Sequence, residues 1–151
     1  MQQDLSRNLH ALTARLDRAA DAILREEAGL SYARFLVLFR VRSLGAVTQR
    51  ALAERLGLSE PSVSRMARVL AEEGLLEVAP DPAGGNRRRL TLTPSGEGLV
   101  KRWGGELEKR FAALVADAGV PYRTYAEYTQ RLLGQLDELD STSGKQGRTR
   151  R

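Results

Sequence analysis

The stretch from Thr48 to Gly74, TQRALAERLGLSEPSVSRMARVLAEEG, constrains the fold more than any other part of the chain. Ala53, Gly57 and Val63 are spaced as in two helices that cross at a tight turn: a small residue at the crossing, a glycine in the turn, a branched apolar residue inside the second helix. Leu52, Leu56, Leu58 and Met66 are expected to fill the remaining core positions. At about 100° per residue, Val63, Met66, Ala67 and Leu70 gather on one side of the second helix and anchor it. Pro61, Ser64, Arg65 and Arg68 gather on the other. The pattern is that of a helix-turn-helix.

The opposite face of that second helix is small and basic, which suits a DNA groove. In a helix-turn-helix the second helix lies in the major groove with its N-terminal part at the base edges. Small residues let the backbone approach, serine hydroxyls serve bases or phosphates, and an arginine pairs bidentately with guanine. The helix N-terminus favours a phosphate. The competing reading is a solvated face that carries two arginines without purpose. The basic hairpin that follows argues against it.

Around this unit the chain reads as helix, helix, helix, helix, hairpin, helix, helix. Leu5, Leu9, Leu12, Leu16, Ala19 and Ile23 form a heptad seam on a long first helix ending near Gly29. That seam serves either the helix's own core or a second subunit. Ser31, Thr48 and Ser59 are placed to cap the second, third and fourth helices. LLEVAP reads as a strand, DPAGGN as a turn and RRRLTLT as the return strand. Leu99, Trp103, Leu107, Phe111 and Leu114 mark a fifth helix, and Tyr125, Tyr128, Leu132, Leu136 and Leu139 stripe a sixth. The expected fold is mainly α with a small β-hairpin wing: a winged helix-turn-helix at 30–98, a connecting helix at 99–118, and dimerisation helices at 1–29 and 119–140.

Composition narrows the chemistry. The chain has no cysteine, which excludes disulfides, thiol catalysis and thiolate metal sites, and one histidine, His10, which makes a histidine metal site improbable. With no glycine-rich phosphate loop and no paired-carboxylate cluster, an enzyme is a poor reading, and no cofactor is expected. No apolar run suits a bilayer and the N-terminus lacks a signal-peptide core, so a cytoplasmic protein of a bacterium or archaeon, without membrane partners, is expected. The net charge of +5 is mostly a matter of the last eleven residues, STSGKQGRTRR, which hold four basic residues and no acid. The rest has 20 of the 24 basic residues against 19 acidic ones. Residues 141–151 read as a disordered basic tail. Total charge therefore does not argue for nucleic acid; its placement must.

Three segments, GLSYARFLVLFRV, TQRALAERLGLSEPSVSRMARVLAEEGLLE and DPAGGNRRRLTLTPSGEGLV, resemble those of MarR-family transcriptional regulators. The resemblance spans roughly residues 5–140 and is most specific over 48–98. It implies a cytoplasmic homodimer that reads an inverted repeat in double-stranded DNA through two winged units, as a repressor, with release by a small aromatic or lipophilic effector. By position it assigns DNA contacts to Ser59, Pro61, Ser62, Ser64, Arg65 and Arg68, and to Asp81 the acid that opens the wing. Arg87, Arg88 and Arg89 stand for the wing's basic residues. Where the family wing has an Asp-Arg-Arg-like run, this chain has Gly84, Gly85 and Asn86, with its arginines one or two positions later. Either Arg87 takes the wing-tip role or minor-groove reading is weakened. The family's oxidation-sensing route is closed to a chain without cysteine.

The resemblance also implies a ligand crevice, which Arg15, Phe35, Phe39 and Trp103 are placed to line unless they are plain core or surface. Leu5, Leu9, Leu12 and Leu16, with Leu132, Leu136 and Leu139, are the expected dimer contacts. The alternative to DNA reading is a winged helix that binds protein. That reading calls for apolar or acidic residues where Ser64, Arg65 and Arg68 stand.

Overall fold

The structure, a computed structural model, describes residues 4–146 and divides between Leu107 and Glu108 into two compact units. The first holds α1 (Leu5–Ala28), α2 (Tyr32–Leu44), β1 (Val47–Thr48), α3 (Gln49–Leu56), α4 (Glu60–Glu72), β2 (Leu76–Pro80), β3 (Arg88–Leu92) and the start of α5 (Pro94–Asp117). The second holds the rest of α5 and α6 (Tyr122–Gln146). Among the described residues no helix is long and apolar enough to cross a membrane, and no three potential metal-ligating side chains cluster.

Helix starts follow the local hydrogen-bonding logic of the sequence. The hydroxyls of Ser31, Thr48 and Ser59 accept from the backbone N–H of Arg34, Ala51 and Ser62 at 3.3, 3.2 and 3.3 Å. Each satisfies one of the amides a helix N-terminus leaves unpaired. Asp4 does the same for α1 through Arg7 N–H. Between α1 and α2, the Tyr32 N–H (2.9 Å) and the Arg25 Nε (2.7 Å) donate to Asp21 and hold its carboxyl below the usual range. Burial, and then Asp17 beside it, push the Tyr32 hydroxyl up.

The core of the first unit joins every element in it: Leu24 from α1, Val37, Leu38 and Val41 from α2, Leu52 from α3, Val63, Ala67 and Leu70 from α4, Leu76 and Leu90 from the sheet, Val100 from α5. This unit is wider than the expected module at 30–98, because Leu24 is fully buried and takes the end of α1 with it.

Four local expectations need correction. The sheet has three strands in the order β1-β3-β2, all antiparallel, with Val47 opposite Leu90 and Val78 opposite Leu90 from the other side. The two residues of β1 are too few to carry a strand pattern. Helix α5 begins at Pro94 rather than 99: the Thr93 hydroxyl accepts from Gly96 N–H (3.1 Å) and donates to the Gly74 carbonyl (2.6 Å), which caps the helix and ties it to the end of α4. Leu58, expected in the core, is exposed. Gly57 turns the chain in the left-handed region (φ 63) and Leu58 N–H bonds back to the Ala53 carbonyl, so its side chain points out. Finally, α6 continues through residues 141–146, where a disordered tail was expected. Ser141 and Thr142 donate their hydroxyls to the carbonyls of Asp137 and Glu138, four residues back, within the helix. The rest of that tail, 147–151, lies outside the described residues.

In the second unit Val115 is buried, and the Tyr122 hydroxyl donates to Glu108. That bond, with some desolvation, holds the tyrosine above its ordinary pKa. Beyond Ala126, α6 is exposed throughout its described side chains.

Candidate nucleic-acid interface

The crossing of α3 and α4 follows the expected pattern. Ala53 and Val63 are buried at the contact, Leu52, Ala67 and Leu70 lie beneath, and Leu56 and Met66 are half-buried against them. This fixes the roll of α4 about its axis. With Val63, Ala67 and Leu70 inward, Pro61, Arg65 and Arg68 are exposed and Ser62 and Ser64 half-buried at the edge.

The first turn of α4 carries a hydrogen-bonded chain of its own. The Ser59 hydroxyl donates to the Ser62 hydroxyl at 2.8 Å, and the Arg65 Nη2 donates to the same Ser62 oxygen at 3.3 Å. Arg65 therefore leans back along the helix toward its N-terminus, as χ1 preferences in helices favour. The helix dipole adds positive potential beside the guanidinium. The i, i+3, i+6 spacing of Ser59, Ser62 and Arg65 was the sequence signal for this chain. No bonded relation among the three was read from it.

The wing has a firm base and a loose tip. Asp81, only 6% exposed, accepts from Ala83 N–H through Oδ1 (3.3 Å) and from Arg89 Nη2 (3.2 Å), while its own N–H donates to the Arg87 carbonyl (2.9 Å). Arg89 is thereby drawn into the base of the hairpin, its Nε buried without a partner. It is set apart from Arg87 and Arg88, which are exposed. The pairing of a wing arginine with the acid is thus present in this chain. Gly84 and Gly85 at the tip both lie at positive φ (88° and 76°), where a side chain would be strained.

The four residues expected around a ligand differ in their burial. Phe35 and Trp103 are core side chains of the first unit. A Cβ built on Gly104 would meet the Phe35 ring at 3.9 Å, an ordinary van der Waals contact. Phe39 stacks on Phe35 at 6.1 Å and Arg15 is exposed on α1. Two cavities among the described residues, of about 320 and 490 Å³, are lined by others: Arg25, Gly29, Ser31 and Arg34 in one, a face of α6 from Tyr122 to Arg131 in the other.

The expected dimer residues lie in two exposed rows, one in each unit. On α1, Leu5 and Leu12 are exposed and Leu9 and Leu16 half-buried. On α6, Leu132, Leu136 and Leu139 are each about 55% exposed, and Tyr128 and Leu133 widen the row.

Residues 28–86 match the family model described as the MarR family. Among solved structures, the chain is similar to an E. coli MarR variant complexed with operator DNA (TM-score 0.67, 21% identity, 89% of this chain and 94% of that one). It is similar to the S. aureus MepR–DNA complex (0.69, 20%, 91% and 99%). It is also similar to the PcaV transcriptional regulator from Streptomyces coelicolor in complex with its natural ligand (0.65, 22%, 91% and 97%). No curated protein matches it. The chain thus has the winged-helix fold of these structures, and its match to the MarR family model runs from the end of α1 through the helix-turn-helix to the turn before β3.

Proposed function

We propose that this chain is a transcriptional regulator, a repressor, that binds double-stranded DNA sequence-specifically as a homodimer on an inverted repeat. The observation that carries this reading is the roll of α4. Its apolar side is fully committed to the core, and its other side presents Arg65 and Arg68 beside the hydroxyls of Ser59, Ser62 and Ser64. The DNA complexes of E. coli MarR and S. aureus MepR support it, as does the MarR family match. The complex of PcaV with its natural ligand supports control by a ligand, which we take to be a small aromatic or lipophilic molecule.

Arg65→Ala tests the reading face. Arg65 is exposed and remote from the core, so the melting temperature stays close to that of the wild type. Loss of a base contact costs about 1–3 kcal/mol and relaxes preference at one base position. The measurement is binding to a duplex selected from a random pool and to a scrambled control. Unchanged affinity for the selected duplex removes Arg65 from the reading face.

The wing contributes in another currency. Arg87 and Arg88 follow the two-glycine tip, where β3 begins, and neutralise backbone phosphates or reach a minor groove. Replacing both by alanine lowers the slope of log affinity against log salt by about 2 per wing, if each displaces one counterion. A slope equal to that of the wild type assigns both side chains to solvent.

A further inference from the structure

We infer that Ser62 is a positioning residue for base reading: its hydroxyl fixes the Arg65 guanidinium at the N-terminal end of α4 and acts on DNA through Arg65, not by a contact of its own. The inference rests on the DNA-binding reading above. Its grounds are geometric. The Ser62 oxygen receives two donors, the Ser59 hydroxyl at 2.8 Å and the Arg65 Nη2 at 3.3 Å. A hydroxyl oxygen has two acceptor sites, and both are then filled by Ser59 and Arg65, so its single O–H is all that Ser62 could turn toward DNA, which the cycle below tests directly. Ser62 is half-buried at the edge of the reading face, while Arg65 stands exposed beyond it. The guanidinium gives up one of its five N–H donors and keeps four. These suffice for a bidentate pair with adjacent acceptors such as guanine O6 and N7. An arginine held in one conformation before DNA arrives loses less freedom on binding, so part of its affinity comes from the serine that holds it.

Ser62 is also a position where the hydroxyl can be removed cleanly. The cap of α4 runs from the Ser59 oxygen to the backbone N–H of Ser62, which every variant keeps. Ser62→Ala is therefore expected to melt with the wild type.

The test is a double-mutant cycle of Ser62→Ala and Arg65→Ala. It is read on a labelled duplex that the wild type enriches from a random-sequence pool, with the unselected pool as control. Ser62→Ala weakens binding roughly threefold to tenfold, the worth of one hydrogen bond. It relaxes preference at the same base position as Arg65→Ala. Ser62→Thr, which keeps the hydroxyl, restores both. In the Arg65→Ala background the serine change alters binding less than about twofold. Equal weakening in both backgrounds makes Ser62 a direct contact and overturns the inference. So does a Ser62→Ala protein that binds and discriminates like the wild type. A wild-type chain that enriches no sequence overturns the DNA reading itself, a result distinct from either.

Discussion

Gly96→Ala is expected to cost about 3 kcal/mol or more and to lower the melting temperature by roughly 6–12 °C, although the substitution lies in a helix where alanine is normally preferred. A Cβ built on Gly96 would lie 2.1 Å from the Leu75 carbonyl oxygen. That atom is backbone, and it is held on several sides. Leu75 N–H bonds to the Leu70 carbonyl, closing α4, and the Leu75 carbonyl accepts from Thr93 N–H at 3.2 Å. Next to it the Thr93 hydroxyl grips the Gly74 carbonyl. Leu92 Cδ2, at 3.3 Å, is a side-chain end that can give way, but the Leu75 carbonyl is not, so α5 must shift off the end of α4 or its first turn must unwind. Gly98→Ala is the internal control. It lies two residues on in the same helix, with nothing within 4 Å of an added Cβ, and should raise stability by about 0.5–1 kcal/mol. Thermal unfolding of the two variants side by side decides the matter. A Gly96→Ala protein that melts with or above the wild type would falsify the close approach.

Leu136→Asp should abolish assembly rather than trim it. Leu132, Leu133, Leu136 and Leu139 all show half or more of their surface to solvent on one stretch of α6, and Tyr128 extends the stretch. Contiguous apolar rows of that size on a solitary chain are rare in soluble proteins. In the proposed homodimer a second copy covers them by a two-fold arrangement in which each row meets its equivalent. An aspartate at the middle of such a contact is buried without a partner, a penalty of several kcal/mol counted twice, once for each copy. Light scattering at low micromolar concentration should give the wild type about twice the 16.7 kDa of one chain and the variant the mass of one. Circular dichroism checks that the variant is still helical. A well-folded wild type that scatters as a single chain removes the proposed homodimer.

Much of this fold is written locally. Ser31, Thr48 and Ser59 each bond to an amide three positions along, so their role is legible without knowing any distant neighbour. The same holds for the buried side of α4, whose spacing alone selects Val63, Ala67 and Leu70. Part of what escaped the sequence depends on partners far along the chain, and part on local effects that run against a residue's pattern. β1 exists because Val47 and Thr48 meet Leu90 and Arg89, more than forty positions away. Leu58 fits an apolar pattern, yet a glycine one residue earlier turns it outward. Residues 141–146 are polar enough to read as coil, and hydroxyls bonding back along the helix hold them in it. In the candidate interface, the identities of Arg65 and Arg68 were legible. That Arg89 faces an acid while Arg87 and Arg88 do not share its place was not, because it depends on the register of β3 against β2 and on the burial of Asp81.

Helix α1 is built into the first unit at one end only. Leu24 is fully buried in the same core as the anchors of α4, whereas Leu5, nineteen residues earlier on the same unbroken helix, is exposed. At 1.5 Å per residue that is an arm of about 28 Å. An arm of that length converts angle into distance: a tilt of about 5° at the Leu24 end carries Leu5 through roughly 2.5 Å. In a two-copy assembly pinned at the far ends of such arms, the same ratio runs in reverse. Small slips where the arms are pinned become small rotations of each winged unit, and so change the gap between the two α4 helices, which must match a groove repeat of about 34 Å. In the proposed homodimer, the stiffness of a single helix would then set how much misalignment is tolerated before one of the two α4 helices loses its groove.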